Sequence, residues 1–222
     1  MQQLLTGKKR FSEFEGEWEE KRLGDLGCTF TGLSGKTKDD FGVGSPYITY
    51  MNIFSNSKIN VSIFDRVKIS ENENQSQVKF GDIFFTTSSE TPKEVGMSSV
   101  LLENVESVYL NSFCFGFRLH SFSILSPYFA QFLFRGAHIR RIISKLAQGA
   151  TRYNLSKTQL LSMAFKIPST IEEQQKIASA LTTADQEIDN LRAQLSRLEK
   201  EKKALMQQLL TGKRRVKVEE AA

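Results

Sequence analysis

Apolar residues recur along the last quarter of the chain at Ile177, Leu181, Ala184, Ile188, Leu191, Leu195, Leu198, Leu205 and Leu209, with spacings that alternate four and three; Lys202 fills the remaining position. Sustained over more than four heptads, this period predicts a coiled-coil helix rather than a helix lying on a broad core. Pro168 marks its start, with Ser169 and Thr170 as alternative N-caps and Glu172 and Glu173 three residues beyond them. Gly212, followed by Lys213, Arg214 and Arg215, marks its end. About 40 residues at about 1.5 Å each give a rod of roughly 60 Å. Burial of each seam side chain is worth about 1.5–3 kcal/mol, so the stripe calls for a partner helix.

Upstream the pattern changes to short runs of Ile, Val, Phe and Tyr separated by Gly, Asn, Ser and Lys. These predict strands at 47–54, 61–69, 82–87, 98–102, 107–110, 113–119 and 163–167. Ser126 and Pro127 open a helical stretch that runs to about Leu146 with an interruption near Gly136, and a short helix follows Ser156. Most of the 17 Phe residues are expected in the core. The fold class is α+β: a globular mixed α/β domain at 11–168, then the long helix at 169–212.

The octapeptide MQQLLTGK occurs twice, at 1–8 and 206–213. It points to one period of a larger duplicated architecture, with cloning residue at one terminus as the bland alternative. Residues 1–10 are then expected to be the tail of a preceding repeat, ending a helix, and 213–222 a basic, flexible tail.

Charge changes the picture. Of 222 residues with a formal net charge of +5, those at 107–171 include no acid and eight bases: Arg118, Arg135, Arg140, Arg141, Lys145, Arg152, Lys157 and Lys166. Such a block attracts a polyanion, because each phosphate it neutralises releases condensed counterions; a solvated basic face is the bland alternative. No apolar run is long enough for a membrane span and the N-terminus lacks a secretory apolar stretch, so a cytoplasmic location is expected. Cys28 and Cys114 have neither disulfide-framework nor zinc spacing, and only His120 and His138 supply imidazoles. Phosphate-loop, dinucleotide, zinc-protease and nucleophile-elbow motifs are missing. Asp82, Glu90 and Glu94 near Lys93 read as loop charges rather than a metal site. No catalytic residue, metal or cofactor is expected.

Two polar segments stand out. One is Thr86, Thr87, Ser88 and Ser89 after an apolar strand, followed by Lys93. The other is Gln148, Gly149, Ala150, Thr151, Arg152, Tyr153, Asn154, Leu155, Ser156 and Lys157, inside the acid-free block. Their hydroxyl, amide and guanidinium groups are those that bond phosphates and base edges, although the second segment would also serve as a plain turn capped by Asn154 or Ser156. With Arg118, Arg140, Arg141 and Lys145 as backbone contacts, they form the candidate DNA-binding set. Arg141 and Lys145 share one helical face.

In order along the chain stand Phe14-Glu15-Gly16-Glu17-Trp18, Arg22-Leu23-Gly24-Asp25-Leu26, Gly81-Asp82-Ile83, Gly149-Ala150-Thr151-Arg152-Tyr153-Asn154-Leu155-Ser156 and Ile167-Pro168. Glu173-Gln174-Gln175-Lys176-Ile177-Ala178 and Leu209-Leu210-Thr211-Gly212-Lys213 follow. Taken together, the chain resembles the DNA specificity subunit of type I restriction and modification systems. The resemblance implies a non-catalytic subunit whose target recognition domains each read half of a split double-stranded DNA site. It also implies long helices that pair antiparallel, dock two methyltransferase subunits and are joined by translocating restriction subunits. A full subunit has two recognition domains and two helices; this chain has one of each. A homodimer through antiparallel long helices, reading an inverted repeat, is therefore expected. A coiled-coil adaptor indifferent to DNA sequence is the alternative, and a stand-alone nuclease would need metal-dependent cleavage.

Overall fold

The computed structural model describes residues 2–215. The chain divides into two units, Met1–Ala178 and Ser179–Ala222. The first begins with β1 (Glu19–Arg22), α1 (Leu23–Leu26), β2 (Gly27–Thr31), β3 (Phe41–Ile48), α2 (Tyr50–Ser55), β4 (Asp65–Val67), β5 (Ile83–Thr86) and β6 (Ser88–Ser89). It continues with β7 (Ser98–Val100), β8 (Tyr109–Leu110), β9 (Cys114–Leu119), α3 (Pro127–Leu133), α4 (Ala137–Lys145) and β10 (Ala147–Gln148). Next come β11 (Tyr153–Leu155), α5 (Lys157–Leu161), β12 (Ala164–Ile167) and the first turns of α6 (Ile171–Leu210).

The core is organised by the antiparallel sheet β2-β9-β5-β7. Its β5 strand, Ile-Phe-Phe-Thr, is buried at every position, as a strand covered on both faces must be. Successive side chains point to opposite faces. Phe84 accordingly joins a cluster with Ile48, Ile53, Leu101 and Leu110, while Phe85 stacks on Phe115 and meets Phe134 edge-on. Of the 17 Phe residues, only Phe41, Phe113 and Phe122 are exposed. Three smaller sheets complete the unit: β1-β12, β4-β3-β8 and β10-β11-β6.

The helix broken at Gly136 is observed as α3 and α4, and Ser156 caps α5 through the Gln159 N–H (3.5 Å). The strand expected at 47–54 is not continuous. β3 ends at Ile48, and the Thr49 hydroxyl accepts the Asn52 N–H (3.2 Å), capping α2. Buried Asn52 then bonds Asn60 twice, through Nδ2 to the carbonyl (2.9 Å) and through Oδ1 from the N–H (3.0 Å). Cap chemistry outweighs the β-propensity of Tyr, Ile and Phe here. The strand expected at 61–69 reduces to a 3-10 turn at Val61–Ile63, capped by Asn60, and the three-residue β4.

Helix α6 spans 40 residues, as the heptads predict. Thr170 Oγ1 accepts the Glu173 N–H (3.4 Å), but the capping box is not closed from the other side. Buried Glu173 instead accepts from Arg10 Nε (2.8 Å) and Nη2 (2.7 Å) and from Trp18 Nε1 (3.3 Å). Buried Gln174 accepts from the Ser126 N–H (2.9 Å) and donates to the carbonyls of Ile124 (2.8 Å) and Pro168 (3.1 Å). These bonds root the first turns in the first unit. The seam is corrected at its start: Ile177 and Leu181 are already buried within the chain, whereas Ile188, Leu191, Leu195, Leu198, Leu205 and Leu209 are exposed, as is Ala184. Of the expected basic tail, residues 216–222 lie outside the described residues. Among the described residues no helix is long and apolar enough to cross a membrane.

Candidate nucleic-acid interface

The two polar segments, far apart in sequence, meet in one small sheet. Strand β11 runs antiparallel between β10 and β6, with Asn154 opposite both Gln148 and Ser88, and Tyr153 opposite Ser89. The junction is sealed at Thr87, whose carbonyl accepts the Leu155 N–H (2.8 Å). The β10–β11 turn depends on Gly149. Its φ is +131°, and a Cβ there would stand 2.1 Å from the Arg152 carbonyl oxygen, so no other residue fits without moving the turn.

Beside this sheet lies a cleft framed by Tyr50, Met51 and Phe54 of α2, Ser88, Ser89, Glu90, Glu94, Thr151 and Arg152. Tyr50 donates to the Ser88 carbonyl (3.0 Å) and its ring stacks on Phe54 at 5.8 Å. Arg152 Nε donates to Ser88 Oγ (3.2 Å), leaving the rest of an exposed guanidinium free for another acceptor. Glu94 accepts from the hydroxyls of Thr91 (2.8 Å) and Ser89 (3.3 Å). The cleft thus offers an arginine, hydroxyls, an aromatic wall and two carboxylates. Arginine and amide groups suit purine edges, and a carboxylate suits the amino group of cytosine. The aromatic wall had no signal in the polar-segment reading, and Glu90 and Glu94 were expected only as loop charges. The spacing of Thr49 and Asn52 could have signalled the start of α2, but not its place beside the cleft.

Several expected contacts prove to be internal. Thr86 is buried and its hydroxyl accepts the Met97 N–H (3.0 Å). Arg118 holds buried Asp82 by two bonds, Nε to Oδ1 (2.8 Å) and Nη2 to Oδ2 (2.7 Å), and also donates to the Gln77 carbonyl (2.9 Å). That carboxylate raises the arginine pKa above its ordinary value. Arg140 donates to the carbonyls of Lys93 (2.8 Å), Val95 (2.6 Å) and Gly96, pinning the loop that carries Glu94. Arg135 likewise reaches the carbonyls of Ile53 (2.6 Å), Phe54 (3.0 Å), Asn56 (2.7 Å) and Ser98 (2.6 Å), tying down the end of α2. Burial lowers both pKa values to about 10. Arg118 and Arg140 are therefore corrected from backbone contacts to scaffold, because Nε and Nη2 of the first and Nη1 and Nη2 of the second are bonded to oxygens of the fold.

The remaining residues divide. Gln148, Thr151 and Asn154 are exposed and Tyr153 is half-buried on the sheet, while Lys93 is exposed on the pinned loop. Lys157 is half-buried with Nζ 5.7 Å from the centre of the Phe115 ring. Lys145 is exposed in the last turn of α4. Arg141 is not brought to the cleft; it lines a separate groove with Gln2, Trp18, His138 and Lys166. Among the described residues no group of three or more His, Cys, Asp or Glu could hold a metal ion.

The first unit is a mixed α/β domain that joins two polar segments in one sheet, and the second is a long helix with an exposed leucine seam. Residues 15–200 match the family described as the type I restriction modification DNA specificity domain, and the chain belongs to that family. It is 27% identical over 217 residues to a Methanocaldococcus jannaschii protein assigned as the type I restriction enzyme MjaX specificity subunit, covering 92% of this chain and 48% of that one. The fold is similar to the type I restriction-modification S subunit from M. genitalium (TM-score 0.54, 18% identity, 83% of this chain and 43% of that one). It is also similar to the specificity subunit from Thermoanaerobacter tengcongensis (TM-score 0.56, 18% identity, 89% and 47%). A chain from a study of type I complex assembly matches with a TM-score of 0.61 at 19% identity, covering 92% and 48%. The chain spans about half the length of these relatives.

Proposed function

We propose that this chain is the non-catalytic, sequence-reading subunit of a type I restriction-modification complex, acting as a homodimer of half subunits. Each domain reads one half-site in double-stranded DNA through the β10-β11-β6 sheet and its cleft. The exposed leucines of α6 pair antiparallel with those of a second copy, and the paired helices serve as spacer and as platform for methyltransferase subunits, with restriction subunits joining that core.

One observation carries the reading: the cross-strand register that sets Asn154 against Ser88 beside Arg152. Ser88 itself is buried, but fold stability alone does not call for an exposed amide and an exposed guanidinium converging on it from a distant segment, whereas readout of base edges does. The test is duplex binding by the purified chain, with and without its methyltransferase, across salt and against a random-sequence library. Enrichment of an inverted repeat supports the proposal. Binding indifferent to sequence in both conditions would return the chain to the adaptor reading.

A further inference from the structure

Residues 2–8 and their repeat at 207–213 end in the same pattern of turn bonds, the first after a 3-10 helix at Leu4–Thr6 and the second at the close of α6. Gly7 and Gly212 have φ of +68° and +71°. The Gly7 N–H meets the Leu4 carbonyl and the Lys9 N–H that of Gln3; Gly212 meets Leu209 and Arg214 meets Gln208 in the same register. Thr6 Oγ1 donates to the Gln2 and Gln3 carbonyls at 2.9 and 3.4 Å, and Thr211 Oγ1 to those of Gln207 and Gln208 at 2.6 and 3.4 Å. Both copies are thus preset to the same helix-ending shape.

Their surroundings differ. Leu5 is 5% exposed, whereas its counterpart Leu210 is 82% exposed. Leu5 sits against Gly136, where an added Cβ would come within 3.2 Å of it, and Gly7 lies on the Trp18 indole, 3.3 Å from a Cβ placed there. Gln2 Oε1 accepts the Ala137 N–H that opens α4 (2.8 Å). The amino-terminal copy therefore fills a seat that suits the same sequence closed by the same turn bonds. Trp18, which floors that seat, also bonds Glu173 at the root of α6. In an antiparallel helix pair, the end of the partner's helix runs to that root.

We infer that the seat held by residues 2–8 is a receptor for residues 206–213 of a second copy of this chain, which enters by exchange with the amino-terminal copy. The inference rests on the homodimer proposed above. It explains why the most exposed leucine of α6 stands beyond the regular seam: Leu210 is the anchor for the seat, not for the helix pair.

The test uses a fluorescein-labelled peptide of residues 204–215 and the whole chain carrying Leu191→Asp, so that peptide binding is read apart from helix pairing. In that background Leu5→Asp should loosen the amino-terminal copy and shift emission of Trp18, the single tryptophan, to longer wavelength. Peptide should restore the emission and bind at least tenfold tighter than it binds the chain with Leu5. The same peptide with Leu210→Asp should lose at least tenfold. Leu5→Ala replaces Leu5→Asp, with the same expectations, should the latter fail to fold. A peptide that does not bind, that leaves Trp18 emission unmoved, or that tolerates Leu210→Asp overturns the inference. A native chain that sediments as a monomer yet whose Leu5 variant takes up peptide would overturn the dimer and keep the seat.

Discussion

Asn154 is the cross-strand partner of Ser88, and that one pairing turns two separate stretches of polar sequence into a single surface. Neither strand exceeds three residues, so the surface is held by what surrounds it: the Tyr50 hydroxyl on the Ser88 carbonyl, and the arginine-pinned loop and helix on its flank.

Arg152→Ala should weaken binding to the selected DNA site by about tenfold or more, in line with about 1–3 kcal/mol for a good guanidinium contact to a base edge. Binding to unrelated duplex should change far less. Competition titrations with both duplexes decide; equal losses would place Arg152 on the phosphate backbone.

Arg140→Ala should act on the fold. Three carbonyls lose a charged donor, and urea unfolding should show a loss of about 2–3 kcal/mol, with faster proteolysis of the loop around Glu94. Unchanged stability with weakened DNA binding would restore Arg140 to the DNA-contact set.

Gly149→Ala forces a side chain onto the Arg152 carbonyl and should distort the β10–β11 turn at a cost of about 1–3 kcal/mol. Site selectivity should fall while the far-ultraviolet spectrum stays native. Full selectivity in the variant would show that the turn does not position the reading groups.

Glu73 is held down to about 2 from its ordinary 4.5 by Lys36, Gln75 and the Ser70 N–H. Because the folded-state pKa is the lower one, its contribution to stability is fully present above the unfolded value and is lost as pH falls from there through the folded value. Chemical unfolding measured between pH 6 and about pH 2 should show a shallower acid limb for Glu73→Gln than for the native chain.

Leu191→Asp, at a position 53% exposed in the single chain, should abolish dimer formation without lowering the helical content of the domain. Sedimentation checks this, and a surviving dimer would refute the seam.

The long helix was legible because heptad spacing is a local, repeated signal, and β5 and β9 were legible because buried strands read as apolar runs; β7, Ser-Ser-Val, is buried without being one. Strand β1, Glu-Glu-Lys-Arg, was not: it pairs with β12 through its backbone and its side chains carry no alternation. The convergence of β6 and β11 is a long-range fact that neither strand announces. The candidate site was half legible for the same reason. Residue type nominated Arg118 and Arg140 together with Arg152, but type does not say which oxygens lie within reach; Asp82 and the carbonyls of residues 93–96 decide it.

Arg118, Arg135 and Arg140 all end on oxygens of the protein itself. Three of the eight cations in the acid-free stretch are thus engaged within the fold, and on the proposed function a duplex at the cleft would also meet Glu90 and Glu94 at its rim. The logarithm of affinity should then fall with added sodium chloride more gently than a tally of basic residues implies, because fewer phosphates are neutralised by direct contact.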